Sequence, residues 1–233
     1  MNSITTTTDN KLRLRFSKTG NAIYMSHLDL METMKRAFIR AGIKLKYSQG
    51  FNPHPFISIA LPLPVGISSS CELLDFKCDE NLLPDGLLQI INDVLPKGIE
   101  VTGIYPPVSK FAEIKWLKID GEFKYSTIIP NINLMLTNRF NEKSIIILKK
   151  TKRGVSEIDI APHIHEILFS GDTVTNSAGT NVIKMSAIIS AQEPSINPQN
   201  LLSALHKDYE ELSPQSASFH RVEIYDACLK AFR

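Results

Sequence analysis

The chain has 233 residues, of which 43% are hydrophobic and 21% charged, and these fractions are typical of a soluble globular protein with one or two domains. The formal net charge is only +2, so composition alone does not indicate a strongly basic nucleic-acid binder. Because no apolar run reaches membrane-spanning length and the Ser/Thr-rich start lacks the regions of a signal peptide, we expect no membrane association and a cytoplasmic location.

The first half predicts one unit, residues 1–112, with the element order β-α-β-β-α-β. Lys11–Phe16 alternates apolar and basic residues as a half-buried strand does, and Ser26 is placed to cap a helix that ends before Gly42. The remaining elements are strands at 43–47, at 56–63 with a continuation at 72–78, and at 99–105, and a helix that ends before Pro96.

The central loop begins at Tyr47, in the segment YSQGFNPHPFISIALPLPVG. Two prolines flank His54, so His54 and Asn52 are both pushed out of the helical region, and Gly50 permits a positive φ just before them. The sequence therefore predicts a stiff, shaped loop that carries a histidine, although an ordinary solvated histidine is the simpler interpretation.

The second half, residues 113–233, predicts a similar order of elements. WLKIDGEFKYS and SIIILKK are strand-like around a short helix, and the basic turn TKRG is followed by two more strand regions, EIDIAPHIHEILF and VIKMSAIIS. NPQNLLSALHKDY predicts a helix and SFHRVEIYDACL a last strand. The fold class is therefore α+β, with two tandem ferredoxin-like units that have antiparallel sheets. KYSQGFNPHPFISIALP and LKKTKRGVSEIDIAP occupy corresponding places as strand, turn and strand.

Charge is unevenly distributed along the chain. The first 50 residues contain nine Lys or Arg against three Asp or Glu, a balance of +6, so the remaining 183 residues total −4. This asymmetry indicates an anionic partner such as RNA for the N-terminal part, unless the charges are merely solvated. The basic residues that alternate with apolar ones in the first two strands would project together if both strands lie in one sheet; they are Lys11, Arg13, Arg15, Lys44 and Lys46. Such a group would bind an RNA backbone, pair with acidic residues of the second half or lie in solvent.

The motifs SHLDL and SQGFNPHP, together with TKRGVSEIDIAP, closely resemble those of the radical SAM-linked protein family. This uncharacterised family is found beside, or fused to, a radical S-adenosylmethionine enzyme, and the resemblance covers most of the chain. Such an enzyme needs three thiolates, typically in a CxxxCxxC run, to hold its iron–sulfur cluster. The three cysteines, Cys71, Cys78 and Cys228, are scattered and form neither this run nor a disulfide or zinc pattern.

Candidate site residues gather at the start of the first helix and in the central loop. If these two segments meet at one end of the sheet, His27 and His54 would serve as general acid and base. His27 would otherwise bind a phosphate at the helix N-terminus, and a two-histidine metal site lacks a third ligand, so no metal is expected. Residues expected to bind substrate are Arg13, Arg15, Ser26, Tyr47, Gln49, Asn52, Lys152 and Arg153.

Two functions remain open on this sequence. The first is a non-catalytic accessory protein without a cofactor, which binds an RNA or other anionic substrate for a radical S-adenosylmethionine enzyme. The alternative is a stand-alone RNA-processing or RNA-modifying enzyme that uses His27 and His54, an analogy drawn from other tandem ferredoxin-like proteins. Asp159 either pairs with Arg153 or ends a strand. The oligomeric state and the identity of the substrate are not specified by the sequence.

Overall fold

The computed structural model describes residues 11–78, 86–151, 154–171, 181–206 and 209–233, except for the side chains of Lys150 and Thr151. Within these residues the protein is an α+β structure with four α-helices and ten strands. It divides into two compact units: the first runs to Phe111 and includes Arg233, and the second is Ala112–Phe232.

The first unit has the element order β-α-β-β-α-β, but both of its middle strands fall within the one region predicted at 56–63 with its continuation at 72–78. Its elements are β1 (Lys11–Lys18), α1 (His27–Arg40), β2 (Ile57–Ile59), β3 (Ser68–Lys77), α2 (Leu87–Val94) and β4 (Ile99–Tyr105). The strands lie side by side in the order β4-β1-β3-β2, and each of these pairings is antiparallel. Each helix therefore connects two strands that are separated by a third strand lying between them.

Local sequence explains β1 and α1. The alternation predicted for β1 is confirmed, because Leu12, Leu14 and Phe16 are buried in the core of the unit. The hydroxyl of Ser26 accepts the N–H of Asp29, and the Asp29 carboxylate accepts the N–H of Ser26 in return, so the predicted cap is confirmed as a capping box. The apolar stripe of α1 packs on the same core as the strand residues.

The segment from Ile43 to Tyr47 is not the strand that its alternation predicts. It is tied to its neighbours only by isolated bridges, Leu45 to Cys78 and Tyr47 to Pro55. The faces are nevertheless as expected, with Ile43 and Leu45 buried and the intervening lysines exposed. The expected strand at 56–63 is also shorter, because the chain bends at Leu61, whose φ is +47°.

The second unit has one more hairpin than the first. Its elements are β5 (Trp116–Tyr125), α3 (Ile132–Phe140), β6 (Ile146–Thr151), β7 (Gly154–Asp159), β8 (Ile164–Ser170), β9 (Asn181–Ser190), α4 (Pro198–His206) and β10 (Ser216–Tyr225). Four strands form an antiparallel sheet in the order β10-β5-β9-β8, and β6 and β7 form a separate two-stranded hairpin. The single strand region expected at EIDIAPHIHEILF is divided into β7 and β8 by a short turn that contains Pro162.

The core of the second unit contains a cluster of phenylalanine rings. Phe123 of β5 packs edge-on against Phe219 of β10, with ring centroids 6.1 Å apart, and it also contacts Phe169 of β8. Gly121 makes this packing possible, because a Cβ there would lie 2.8 Å from Met185 and 3.1 Å from Phe219. The strands that surround β5 are thus held together by rings as well as by backbone hydrogen bonds.

Candidate functional site

The central loop is a closed hairpin. Tyr47 bridges Pro55, and the N–H of Ser48 donates to the carbonyl of His54 at 2.9 Å. Gly50, near the tip, has a φ of +126°, which explains why glycine occupies this position. The loop therefore has the stiff, shaped backbone that its two prolines and its glycine predict.

The imidazole of His54 is oriented by Ser48. The Ser48 hydroxyl oxygen accepts the backbone N–H of His54 at 3.1 Å and lies 3.0 Å from its Nδ1. Nδ1 also lies 3.4 Å from the carbonyl oxygen of Asn52, so Ser48 and Asn52 together fix the position of this ring nitrogen. The tautomer decides whether Nδ1 donates or accepts, and Nε2 then takes the opposite role toward a group outside the loop.

One backbone hydrogen bond closes the base of this loop, and two more attach that base to the end of β3. The N–H of Phe56 donates to Lys46 at 2.8 Å, that of Lys46 to Lys77 at 2.9 Å, and that of Lys77 to Phe56 at 3.0 Å. The ammonium of Lys77 also lies 5.4 Å from the centroid of the Phe56 ring. Two lysines and an aromatic ring are thereby fixed beside one another.

A cavity of about 330 Å³ lies at this place. His54 and Phe56 line it from the loop, and Lys11, Lys77 and Phe111 line it from β1, β3 and the segment after β4. Asp75 is the one carboxylate among the described residues that line it. We refer to this cavity, together with the loop 47–56, as the loop groove. Cationic, imidazole and aromatic groups converge here, which is the donor set suited to an anion that carries a planar ring.

Arg13 does not lie on a free basic face. It is fully buried, and its Nε and Nη2 donate to the two carboxylate oxygens of Asp75 at 2.6 and 3.0 Å. Nη2 also donates to the carbonyl of Ser109, and the guanidinium carbon lies 4.5 Å from the centroid of Phe111. The Lys11 ammonium contacts the same Asp75 carboxylate at 2.8 Å. Asp75, the acid that pairs with these two cations, lies on the neighbouring strand of the same unit.

Arg15, two residues farther along β1, is half-buried between β3 and β4, where it lies opposite Leu73 and Gly103. The five basic side chains of the first two predicted strands therefore do not all project together from one exposed face. Lys44 and Lys46 are exposed near the loop groove, whereas the arginines of β1 lie within the packed sheet.

The two histidines do not meet at one end of the sheet. His27 begins α1, beside the end of β1 where the ammonium of Lys18 donates to the carbonyl of Met25 at 2.8 Å. His54 lies at the other end of β1, where Lys11 pairs with Lys77. Lys18 is the seventh residue after Lys11 on β1, so the two ends of the strand are about 23 Å apart at a rise of about 3.3 Å per residue.

The other predicted site residues are divided between these locations. Ser26 lies with His27 at the start of α1, while Tyr47, Gln49 and Asn52 are exposed in the loop that carries His54. The loop groove thus gathers four of the predicted residues. Lys152 and Arg153 lie outside the described residues, and the preceding Lys149 donates to the carbonyl of Ser195 at 2.8 Å.

Sequence reasoning missed Asp75, Lys77 and Phe111. Asp75 and Lys77 alternate with the apolar residues of β3, so the period of two that identified the strand also marks them as members of its opposite face. Phe111 follows two prolines in an irregular segment, and no periodic pattern indicates that it packs on Arg13.

Asp159 ends a strand, as one sequence-based alternative held. Its carboxylate accepts the N–H groups of Ile145 at 2.8 Å and of Ala161 at 3.0 Å, which closes the end of the β6–β7 hairpin. The hydrogen bond from Ile145 is the main reason why the pKa of Asp159 is lower than usual. The carboxylate therefore stays ionised and holds the backbone in place.

A second cavity, of about 750 Å³, lies in the second unit between the ends of α3 and α4 and the β6–β7 hairpin. Arg139 is buried there, and it donates to Glu142 and to the carbonyl of Ala204, while the Tyr209 hydroxyl donates to Glu142. The charges of this cluster neutralise one another. Unlike the loop groove, it carries no excess of cations among its described lining residues.

Among the described residues, no three His, Cys, Asp or Glu side chains are grouped so that they could hold a metal ion. None of the described helices has the length and apolar character needed to cross a membrane.

These features define an α+β protein with a cationic, partly aromatic groove beside a stiff loop. By its sequence the chain belongs to the bacterial family described as "Uncharacterized protein conserved in bacteria (DUF2344)", whose profile matches residues 11–198. The matched range contains the whole loop groove.

Other comparisons add little. No protein with a curated description matches this sequence. A crystal structure described as "an Unknown Protein from Galdieria sulphuraria" is 11% identical, and the match covers 91% of this chain and 98% of that one with a TM-score of 0.25. A score this low does not establish a shared fold.

Proposed function

We propose that the protein is a non-catalytic accessory protein that binds RNA, an anionic substrate, in the loop groove and presents it to a radical S-adenosylmethionine enzyme. The observation that carries the binding half is the convergence of Lys11, Lys77 and His54 on one cavity. The resemblance of SHLDL and SQGFNPHP to the radical SAM-linked family supports the partner half. Because the loop groove is built largely from SQGFNPHP, the same motif supports both halves.

Electrostatics favour an anion over a neutral ligand. Asp75 is already engaged by Arg13 and Lys11, so it offers little net negative charge to the cavity that it lines. Lys77 adds positive charge in the lining, and the exposed Lys46 is hydrogen-bonded to Lys77 through its backbone. Phosphate groups of an RNA backbone satisfy lysines placed in this way, and their binding releases counterions.

A non-catalytic role is consistent with the residues present. Cys71 and Cys78 are buried and Cys228 is exposed, and none of them belongs to a CxxxCxxC run, so the chain does not supply the ligands of a radical S-adenosylmethionine cluster. The alternative, an enzyme in which His27 and His54 act together, requires both imidazoles within reach of one phosphate. Their placement at opposite ends of β1 does not favour it. The free thiols also fit the cytoplasmic location that we propose.

We further infer that each unit is ferredoxin-like. The strand order β4-β1-β3-β2 in the first unit has its counterpart in the order β10-β5-β9-β8 in the second. The two units correspond only if the β6–β7 hairpin is an insertion between α3 and β8. The loop 47–56 lies at the equivalent place in the first unit, between α1 and β2. This supports the sequence-based pairing of KYSQGFNPHPFISIALP with LKKTKRGVSEIDIAP.

One contact recurs in both units. Arg40, at the end of α1, donates to the carbonyl of Val94 at the end of α2 at 2.7 Å. Arg139, near the end of α3, donates to the carbonyl of Ala204 in the last turn of α4 at 3.1 and 3.0 Å. In each unit an arginine of the first helix thus binds a free C-terminal carbonyl of the second. The recurrence supports an internal duplication.

The binding half is tested with the double variant Lys46→Ala/Lys77→Ala and a labelled RNA. If each lysine contacts one phosphate, the salt slope of the affinity should become shallower by about 1.4 for a single strand. Lys124→Ala/Lys184→Ala is the matched control, because it removes the same charge from exposed positions in the second unit. Equal loss of affinity in both double variants would mean that RNA responds only to net charge, and the loop groove would not be its site.

The partner half is tested by co-purification with the radical S-adenosylmethionine enzyme encoded nearby. We expect a stable complex, and we expect the Lys46→Ala/Lys77→Ala variant to enter it as the wild type does, because these lysines are assigned to RNA. Failure of the wild-type proteins to associate, both with and without RNA, would remove the partner from the proposal.

A further inference from the structure

We propose that the RNA bound at the loop groove is single-stranded and that one of its unpaired bases stacks on the ring of Phe51. This inference rests on the proposed RNA-binding function and specifies the form of RNA that the site accepts. It assigns to Phe51, which the sequence analysis did not select, the role of a stacking platform.

The exposure of aromatic side chains in the loop is the first observation. Phe51 is fully exposed at the tip, Tyr47 is half exposed, and Phe56 is 39% exposed. All three lie within ten residues of one another, on a segment whose ends at Lys46 and Phe56 are hydrogen-bonded through the backbone to Lys77. Exposed rings interleaved with cations are the combination with which proteins hold single-stranded nucleic acid, because bases stack on the rings while lysines follow the phosphates.

The rigidity of the loop is the second observation. Hydrogen bonds between Ser48 and His54 close the loop on both sides of Phe51, and two prolines restrict the backbone after it. A phenylalanine on a flexible loop would collapse onto the nearest apolar surface. Here the backbone of the closed loop keeps the ring of Phe51 exposed to water. The loop therefore loses little conformational entropy when a base stacks on this ring.

The size of the cavity indicates which part of the RNA it can hold. About 330 Å³ is at the small end of ligand pockets, so the cavity accepts one compact group and not a folded RNA helix. We assign a phosphate and its sugar to the cavity between Lys11, Lys77 and His54. The adjacent base then extends toward the exposed rings of the loop.

Duplex RNA does not meet these requirements. In an A-form helix the base faces are covered by their neighbours, and the deep major groove is too narrow for side chains to reach the bases. Phe51 could stack only on a base that is already unpaired. The single aromatic tip therefore selects loops, bulges or ends, where bases are free.

The chemistry around Phe51 favours RNA over a protein as its occupant. Lys44 and Lys46 precede the loop in the sequence, and Lys11 and Lys77 line the cavity, while the one carboxylate in the described lining is Asp75, which pairs with Lys11. An apolar protein surface that covered Phe51 would have to desolvate nearby lysines. A strand that carries phosphates interacts with lysines favourably instead.

The test compares a short unstructured RNA of about twelve nucleotides with a blunt duplex of the same length, using the full chain and fluorescence anisotropy. The variants are Phe51→Ala, which removes the ring, Phe51→Leu, which keeps an apolar side chain without a ring, and Phe51→Trp, which enlarges the ring. Tyr24→Ala is the matched control, because Tyr24 is 69% exposed near the start of α1, at the other end of β1.

We expect the single strand to bind more tightly than the duplex, and Phe51→Ala to weaken its binding about tenfold, the loss of one base–aromatic stack. Phe51→Leu should lose about as much, Phe51→Trp should bind at least as well as the wild type, and Tyr24→Ala should be unchanged. Duplex binding should not respond to any change at Phe51.

Several results would overturn the inference and leave the proposed function intact. These are equal affinity for duplex and single strand, equal behaviour of Phe51→Ala and Tyr24→Ala, and full binding by Phe51→Leu. A further one is that Phe51→Ala binds RNA normally but no longer co-purifies with the partner enzyme, in which case Phe51 docks a protein. If neither RNA form binds the wild type, the RNA-binding half of the proposed function fails together with the inference.

Discussion

An Asp75→Ala variant is expected to lose about 3–5 kcal/mol of unfolding free energy, because it leaves the guanidinium of Arg13 buried without its carboxylate. Arg13 is 0% exposed and Asp75 is 5% exposed, and two parallel hydrogen bonds join them. Removal of one partner leaves a charge that water cannot reach. Denaturation by guanidinium chloride, followed by circular dichroism, measures the loss.

Two controls separate the buried pair from the charges around it. Lys11→Ala removes the more exposed partner of Asp75, whose side chain is 35% exposed, and should cost no more than about 1 kcal/mol. Arg13→Met/Asp75→Leu removes both buried charges and should be more stable than Asp75→Ala. If Asp75→Ala is no less stable than Lys11→Ala, the pair does not hold β1 and β3 together as we propose.

The Arg13–Asp75 pair also shows where sequence reasoning is limited. A period of two correctly assigned Leu12 and Leu14 to one face and Arg13 to the other. It did not reveal that the second face is covered at Arg13 by Ser109 and Phe111, nearly a hundred residues away in sequence. Burial of a face depends on such long-range contacts, for which a strand's own residues carry no signal.

Features determined within a few residues were predicted best. The Ser26–Asp29 capping box involves positions three residues apart, and the closed loop around His54 follows from prolines and a glycine within six residues. Both depend on steric and hydrogen-bonding preferences of the adjacent backbone. The sequence could therefore locate the candidate loop, though not the groove that it forms with Lys11 and Lys77.

The separation of His27 and His54 depends instead on topology. The chain leaves β1 at Lys18, begins α1 there, and returns along the helix to the end where β1 started. The loop that follows α1 must then lie near Lys11. A helix of 14 residues is about 21 Å long, so its two ends carry side chains that cannot share a substrate atom. The element order implies this separation, yet the residue types at both ends suggested a common site.

The last prediction concerns the arginine that binds a helix C-terminal carbonyl in each unit. We expect its replacement to lower the unfolding free energy more in the second unit than in the first. Arg139→Met should lower the unfolding free energy of the protein by about 2–3 kcal/mol, because it withdraws the donors to Ala204 and to Glu142. The side chain of Arg139 is 7% exposed and its guanidinium carbon lies 4.4 Å from the centroid of the Tyr209 ring, so water does not replace these contacts.

Arg40→Met removes the corresponding hydrogen bond to Val94, but Arg40 is exposed, so water solvates the carbonyl that is released. We expect a change of about 0.5 kcal/mol or less for this variant. Arg139→Lys, which keeps the charge but not the planar fork, should lie between Arg139→Met and the wild type. Guanidinium chloride midpoints of the three variants test this order, and equal destabilisation by Arg40→Met and Arg139→Met would contradict it. The predicted inequality has two causes: Arg139 is buried whereas Arg40 is exposed, and Arg139 also donates to Glu142 and packs on the ring of Tyr209.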